Sequence, residues 1–363
     1  MGKMATMKQV ANQLGLSRRT VSSVINNLAR ERGVADHTAE RIKNYLHKIG
    51  YVPCQHATRL RKSKESVGII YQGWLYSFLF EDFNRIVYNF SDRTQGVEIL
   101  AVQENIVEGL RELLARRVTR LIWIHASIPG QELKSEVPLM GYLKNFEQVV
   151  FYNYRFGHQP EWDALLEEAG IHRVAADRQS GFRQLAAFLK DLGHRKVLIP
   201  HWETIPQVNE ARPGFGAEGL EIVFQYPENV KWNVSPDYGK RLASSIIQAI
   251  KQDGITAACV LDDELAGYVM AELLDCGVRI PKDLTVTGFG GLDVAATFRV
   301  PLTSLAVPNI EMVLRLEEIL AGKHAGCRHI IPMRIITRKS HGDAAVIGTG
   351  ITDYPVFSGE QKP

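Results

Sequence analysis

The stretch MKQVANQLGLSRRTVSSVINN, residues 7–27, decides how this chain is organised. In its second half Val21, Val24, Ile25 and Leu28 recur at i, i+3, i+4 and i+7, the pattern of one buried helical stripe. Arg18, Arg19, Ser22, Ser23 and Asn26 fall mostly on the opposite side. A solvated helix face usually carries long side chains of mixed sign at i,i+4 spacing. Here no acid occurs between Met7 and Arg30, so the face is built to meet something anionic. Upstream, Thr6 and Gln9 have capping-box spacing, which predicts a helix from Met7 that buries Val10, Ala11 and Leu14. Gly15 supplies a permissive backbone for a turn, and Ser17 is placed to cap the next helix. Helix, short glycine turn and helix is the arrangement whose second helix enters the major groove of DNA. Downstream, ADHTAERIKNYLHKIGYVP predicts a third helix capped by Asp36, with a stripe at Ile42, Tyr45, Leu46 and Ile49. Gly50 and Pro53 are placed to stop it.

Charge is distributed in the same sense. Residues 1–65 hold 13 Lys and Arg against four acids, a net +9, whereas the whole chain of 363 residues carries only +3. A basic head on a mildly acidic body is the electrostatic pattern of a nucleic-acid binder. Composition is that of an ordinary globular protein, and the length predicts two or three domains. No apolar run approaches the roughly 20 residues of a membrane span, and the start MGKMATMKQ has no apolar region of a secretory signal. Cys54, Cys259, Cys276 and Cys327 are scattered without metal-ligand spacing and read as reduced thiols of a cytoplasmic protein.

VANQLGLSRRTVSSVINN followed by VADHTAERI and GYVP resembles the DNA-binding head of the lactose-repressor (LacI/GalR) family of bacterial transcription regulators. The matching positions include Val10, Ala11, Gly15, Ser17, Thr20, Val21, Ser22, Asn26, Val34, Thr38, Gly50, Tyr51 and Pro53. The resemblance implies that Ser17, Thr20, Ser22 and Asn26 contact phosphates, with Tyr51 among the matching head positions. It also implies a hinge over residues 53–65 that folds on DNA, with Ala57 and Leu60 at matching positions and Leu60 as a minor-groove wedge. Read without the family, residues 54–64 are a basic linker. Three departures stand out. Ser23 occupies a position where the family commonly has arginine, which makes Arg18 and Arg19 the better candidates for reading bases. NLARERG is longer than the family's usual loop, and Cys54 replaces a frequent asparagine.

Beyond Glu65, β-rich runs alternate with helical patterns. The runs are residues 67–71, 97–102, 120–126, 149–153, 196–200, 221–226, 257–262 and 284–289; helices are predicted at 104–116, 178–192, 236–252 and 264–276. Such alternation gives buried parallel strands with crossover helices, and eight strands are better shared between two doubly wound lobes than held in one sheet. VAADRQSGFRQLAAFLKDLGHRKVLI, LDDELAGYVMAELLDCGVRIPKDLTVTGFGG and VPLTSLAVP extend the resemblance over the body, which is similar to periplasmic sugar-binding lobes. The expected organisation is an all-α helix-turn-helix head (1–52), the hinge (53–65) and an α/β two-lobe effector-binding and dimerisation body (66–340). Lobe 1 would take residues 66–176 and 308–332, lobe 2 residues 177–307 and 333–340, and residues 341–363 would form a loose tail.

A cleft between lobes is the default ligand site. By resemblance Phe80, Asp177 and Asp262 sit at effector positions, with Trp123, Trp202, Arg212 and Tyr238 as further candidates. Each also admits a structural reading, Phe80 as core and the two aspartates as caps or loop anchors. The family's GFDD is GFGG here, Gly288 to Gly291, so Gly290 replaces an aspartate that commonly binds the effector. The ligand then differs, Asp293 substitutes, or no small ligand binds. GFGAEG (214–219) satisfies a dinucleotide pattern without the strand-to-helix context and reads as a loop. His194 reads as structural, and His324, His329 and Asp343 stand in the wrong order for a catalytic triad. The expectation is a non-enzymatic cytoplasmic repressor with no cofactor or metal. Its partners would be a double-stranded operator, a second copy of itself and a small effector such as a sugar or derivative. A ligand-blind dimerisation body and a stand-alone solute-binding protein stay open as alternatives.

Overall fold

The computed structural model describes residues 7–26, 28–48, 66–72, 77–93, 97–102, 106–116, 118–124, 139–156, 160–201, 206–225, 227, 233–324 and 326–345. The chain separates into two compact units, residues 1–65 and 66–363. In the first, α1 (Met7–Leu14), α2 (Arg18–Ile25) and α3 (Asp36–Lys48) close around Val10, Ala11, Leu14, Val21, Val24, Ala39 and Ile42. Gly15 makes the turn at φ 63°, a left-handed backbone that glycine adopts without a Cβ penalty. Arg41 fastens α3 to the end of α1 by donating to the Leu14 carbonyl at 2.7 Å. Two boundaries differ from expectation. Asp36 is the first residue of α3, and the Ala35 carbonyl accepts from the Thr38 and Ala39 amides. Leu28 lies past the end of α2, so that helix contributes a shorter stripe than the periodicity suggests. Thr6, Gly50, Pro53 and Cys54 lie outside the described residues.

The second unit contains two six-stranded sheets. Its elements run β1 (Val67–Gln72), α4 (Ser77–Arg93), β2 (Val97–Val102), α5 (Ile106–Ala115), β3 (Arg120–Ile124), α6 (Leu139–Leu143), β4 (Gln148–Tyr152), α7 (Pro160–Glu168) and β5 (His172–Asp177). Then follow α8 (Arg178–Asp191), β6 (Lys196–Ile199), α9 (Pro206–Ala217), β7 (Glu221–Phe224), α10 (Pro236–Asp253), β8 (Ala257–Cys259), α11 (Asp263–Asp275) and β9 (Thr285–Gly290). After a 3-10 turn at Asp293–Ala296 come β10 (Thr303–Ala306), α12 (Asn309–Leu320), β11 (Arg328–Pro332) and β12 (Arg334–Ile336). The first sheet has the order β11-β5-β4-β3-β1-β2 and is parallel throughout. The second, β12-β10-β9-β8-β6-β7, is parallel except for β12. The chain therefore passes between the sheets three times: after β5, after β10 through α12, and at Met333 between β11 and β12. Four strands beyond the eight expected complete the sheets. HRVAAD, TSLA, RHIIP and RII are short or rich in small and polar residues, so their strand pattern is weak.

One apolar cluster runs from a face of the first sheet (Ile69, Ile122, Val150) through α8, α9 and α12 (Phe182, Phe215, Met312) to a face of the second (Val197, Ala257, Leu305). Each sheet has its own cluster on the other face, around Trp123 and Phe151 in one and Leu242 and Val269 in the other. Within GFGAEG the expected loop is the end of α9. A Cβ on Gly214 would stand 2.8 Å from the Arg183 amide nitrogen and 3.0 Å from the Phe182 carbonyl carbon, so α8 and α9 touch backbone to backbone there. Gly214→Ala is expected to lower unfolding free energy by about 1–3 kcal/mol, the cost of overpacking against rigid backbone, read from a denaturant melt.

Residues 341–345, assigned above to a loose tail, pack on the second sheet instead. His341 Nδ1 pairs with Thr303 Oγ1 at 2.8 Å, the Gly342 amide donates to Thr285 Oγ1 at 3.0 Å, and the Ala344 amide donates to the Leu192 carbonyl at 2.7 Å. His194 helps hold this segment, bonding Thr256 Oγ1 and the Gly342 carbonyl.

Candidate DNA-reading helix and ligand cleft

Helix α2 is started by Ser17, whose Oγ accepts from the Thr20 amide at 3.0 Å and pairs with the Thr20 hydroxyl at 2.8 Å. Its first two residues, Arg18 and Arg19, are exposed. They stand at the end of the helix from which a recognition helix addresses base edges. Ser22 and Ser23 do not share that exposure: they are 7% and 1% exposed. In a three-helix core an eight-residue helix buries more than one stripe, and small side chains fill its flanks. The Ser23 hydroxyl donates to the Arg19 carbonyl at 2.9 Å, a back-bond one turn down the helix. Asn26 caps α2, its Nδ2 donating to the Ser22 carbonyl at 2.7 Å and to Ser22 Oγ at 3.2 Å. Both serines and Asn26 thus spend hydrogen bonds inside the head. Tyr51, Ala57 and Leu60 lie outside the described residues.

In the body, open α/β sheets bind ligands beyond the carboxyl ends of their strands. Asp177 ends β5 and caps α8, accepting from the Ser180 amide at 3.1 Å. Asp262 caps α11 through the Leu265 amide at 2.9 Å and is 1% exposed. Burial, helped by the neighbouring Asp263 and Glu264 charges, pushes its carboxyl up to about 6. The folded protein therefore holds a proton on Asp262 over a range where an unfolded aspartate, near pKa 4, has lost it. Stability falls as pH rises through that window, and the full cost is present above it. Asp262→Asn keeps a capping oxygen and removes the buried charge. It is expected to raise stability by about 2–3 kcal/mol near neutral pH and to leave it unchanged at about pH 4, in parallel urea titrations.

Asp263 is the acid that holds the GFGG segment. Its Oδ2 accepts from the Gly291 and Leu292 amides at 2.6 and 2.8 Å, and its Oδ1 accepts from the Ser304 hydroxyl at 2.6 Å. Gly290 and Gly291 have φ of 129° and 79°, conformations that side chains rarely adopt, so the glycines suit this turn and an aspartate would strain it. Asp293 is exposed on the 3-10 turn that follows.

The remaining effector candidates scatter. Phe80 on α4 is 54% exposed rather than core. Trp123 is wholly buried on a central strand, edge-on to Phe151 at 4.9 Å, and belongs to the first sheet's core, not to a cleft. Tyr238 is likewise core, its buried phenol pushed up to about 12. Arg212 is exposed with its guanidinium 4.6 Å over the Phe224 ring, and Trp202 lies outside the described residues.

A cavity of about 430 Å³ does open beside the ends of β4 and β5, against α9 and β11. Asp177 lines it, together with residues that the sequence reading passed over: Arg155, Phe156, Arg178, Glu210 and Arg328. Arg178 is 5% exposed, donates to Asn153 Oδ1, and stands 3.7 Å from Glu210. Arg155 Nε is 3.7 Å from the other Glu210 oxygen. Asn153 itself, 2% exposed, has φ 58°, uncommon for a residue other than glycine. The arginine directly after the strand-ending Asp177 was the available signal: a charge at a strand-to-helix junction has the strand's carboxyl end, and hence the cleft, within reach. A second cavity, about 490 Å³, lies at the amino ends of β4 and β5, away from that crevice. Among the described residues no cluster of His, Cys, Asp or Glu is arranged to hold a metal ion, and no helix is long and apolar enough to cross a membrane.

Residues 6–54 match the bacterial regulatory proteins of the lacI family, and residues 186–341 match the periplasmic binding protein-like domain. The HTH-type transcriptional repressor PurR of Vibrio cholerae is 26% identical over 324 residues, covering 87% of this chain and 90% of the relative. PurR of Photobacterium profundum is also 26% identical, over 333 residues, 87% of this chain and 91% of the relative. Among solved structures, the lac repressor dimer bound to operator and the anti-inducer ONPF superposes with a TM-score of 0.65 at 19% identity, covering 94% of this chain and all of that one. The CelR–cellobiose complex gives 0.55 at 20% identity, with 93% of this chain and 99% of that one covered. With a helix-turn-helix head matching one family description and a two-sheet body matching the other, the chain belongs to the LacI/GalR family of transcription regulators.

Proposed function

We propose that the protein is a cytoplasmic, ligand-responsive transcription repressor that binds a near-palindromic operator as a homodimer. The carrying observation is the exposed Arg18–Arg19 pair at the start of α2, in a head that matches the lacI family. Ser17 and Thr20 set the register on phosphates, and the residues around Leu60 supply the hinge. The PurR relatives are named as repressors, and the lac repressor neighbour is described as a dimer on its operator. A small molecule in the body's cleft shifts DNA affinity by its preference for one arrangement of the lobes. Selection of bound DNA from a random pool with the full-length protein tests the reading. A two-fold symmetric motif supports it; a motif without symmetry overturns the dimer, and no enrichment overturns sequence-specific binding.

A further inference from the structure

We infer that the molecule admitted to the body's cleft is an anion, a small compound bearing a carboxylate or phosphate, and that Arg155 and Arg178 take its charge. The inference rests on the ligand-responsive reading above and names the chemical class of its effector.

The 430 Å³ cavity is of the size that holds a small metabolite. Three arginines line it, Arg155, Arg178 and Arg328, against two carboxylates, Asp177 and Glu210. One of the carboxylates is engaged, because Asp177 accepts from the backbone at the start of α8. The other faces two cations at once. Glu210 stands 3.7 Å from the Nε of both Arg155 and Arg178, outside hydrogen-bond reach of either. Arg155 Nε is buried and makes no hydrogen bond. Arg178 is held by Asn153 as well, but Arg155 is kept largely out of water over one loosely placed carboxylate, which is costly. The arrangement makes sense when a second anion completes it. The guanidinium fork matches the paired oxygens of carboxylates and phosphates, whereas a neutral sugar hydroxyl returns far less for the same desolvation. At the rim Arg328 lies 4.5 Å over the Phe156 ring, presenting a third positive charge. Cationic lining in a body whose net charge is −6 is a local reversal of sign, which draws anions to this opening.

The test uses the full-length protein and matched pairs: glycerol against glycerol phosphate, glucose against glucose phosphate and glucose against glucuronate, with inorganic phosphate and citrate alone. Thermal shift screens the set and calorimetry measures affinity. The phosphate and carboxylate arms separate the two anion types. We expect at least one charged member to bind about tenfold or more tightly than its neutral partner, with affinity falling as salt rises. Arg155→Gln is expected to lose at least tenfold of that affinity, about what one charge-assisted contact supplies. Arg328 is exposed, so Arg328→Gln threatens the fold least; it is expected to lose a smaller factor and to steepen no salt dependence. Equal binding of neutral partners, binding untouched in both variants, or no anion bound at all overturns the inference. Operator binding is measured on the same preparations. Protein that binds operator and responds to neutral compounds alone sinks the anion assignment only. Protein that binds operator and responds to nothing sinks the ligand-responsive reading too.

Discussion

Arg18→Ala with Arg19→Ala is expected to abolish discrimination between the selected operator and a scrambled duplex while leaving the head folded. Both side chains are exposed and neither contributes to the packed core of Val10, Leu14, Val21, Val24 and Ile42, so circular dichroism of the variant should match the parent. A good bidentate contact to a base supplies about 1–3 kcal/mol of discrimination, roughly 5- to 150-fold per arginine. Losing both therefore removes much of the specific affinity in a titration at fixed salt. Non-specific binding falls less, because most of the 13 basic residues in residues 1–65 remain. The salt series separates the roles. If the arginines read bases, the operator titration collapses toward the scrambled one; if they only neutralise phosphates, both weaken alike and the slope against salt drops by about one per arginine.

The second large effect is expected from Asp263→Ala, at a residue with no exposed surface. Its two oxygens accept from two backbone amides of the GFGG turn and from Ser304. Alanine strands several donors around a cavity, and each unsatisfied buried group costs about 1–3 kcal/mol. The summed loss is about 3–5 kcal/mol, or a fall in Tm of about 5–8 °C for a unit of this size. Asp263→Asn keeps one carbonyl acceptor and should fall between parent and alanine. A variant that melts like the parent would mean that the turn is held by other contacts.

What the sequence disclosed and what it withheld follow from range. The head was legible because its signals are local: Ser17 caps three residues away, Gly15 sits in the turn it permits, and the Val10–Ile42 core is spaced within one small unit. The doubly wound class was legible from apolar runs such as RLIWI and QVVFY, buried on four of five positions. TSLA and RII gave no such run; they are strands because β9 and β10 were there to pair with. Ser23 was misplaced because helical periodicity assigns one face, whereas α2 is enclosed by α1, α3 and Arg32. The cleft was the least legible part. Arg155, Arg178 and Glu210 are 23 and 32 residues apart and converge only through the order β4, β5, α8, α9. Trp123 and Tyr238 drew attention as aromatic residues, and their burial shows that size alone marks core more often than ligand contact.

The three passages between the sheets have a consequence for how the chain comes to be. During synthesis the first sheet emerges as β1 to β5 and then waits, because its edge partner β11 begins only at Arg328. Until some 150 further residues have been made, the backbone of β5 presents an unpaired edge. The intervening residues build most of the second sheet, so neither half can finish first, and pairings this distant fold slowly. A gene fragment that stops after β10 would thus encode a body with an open strand edge rather than a spare lobe. Limited proteolysis of such fragments should find β5 as vulnerable as a loop, and restoring residues 309–336 in trans should protect it.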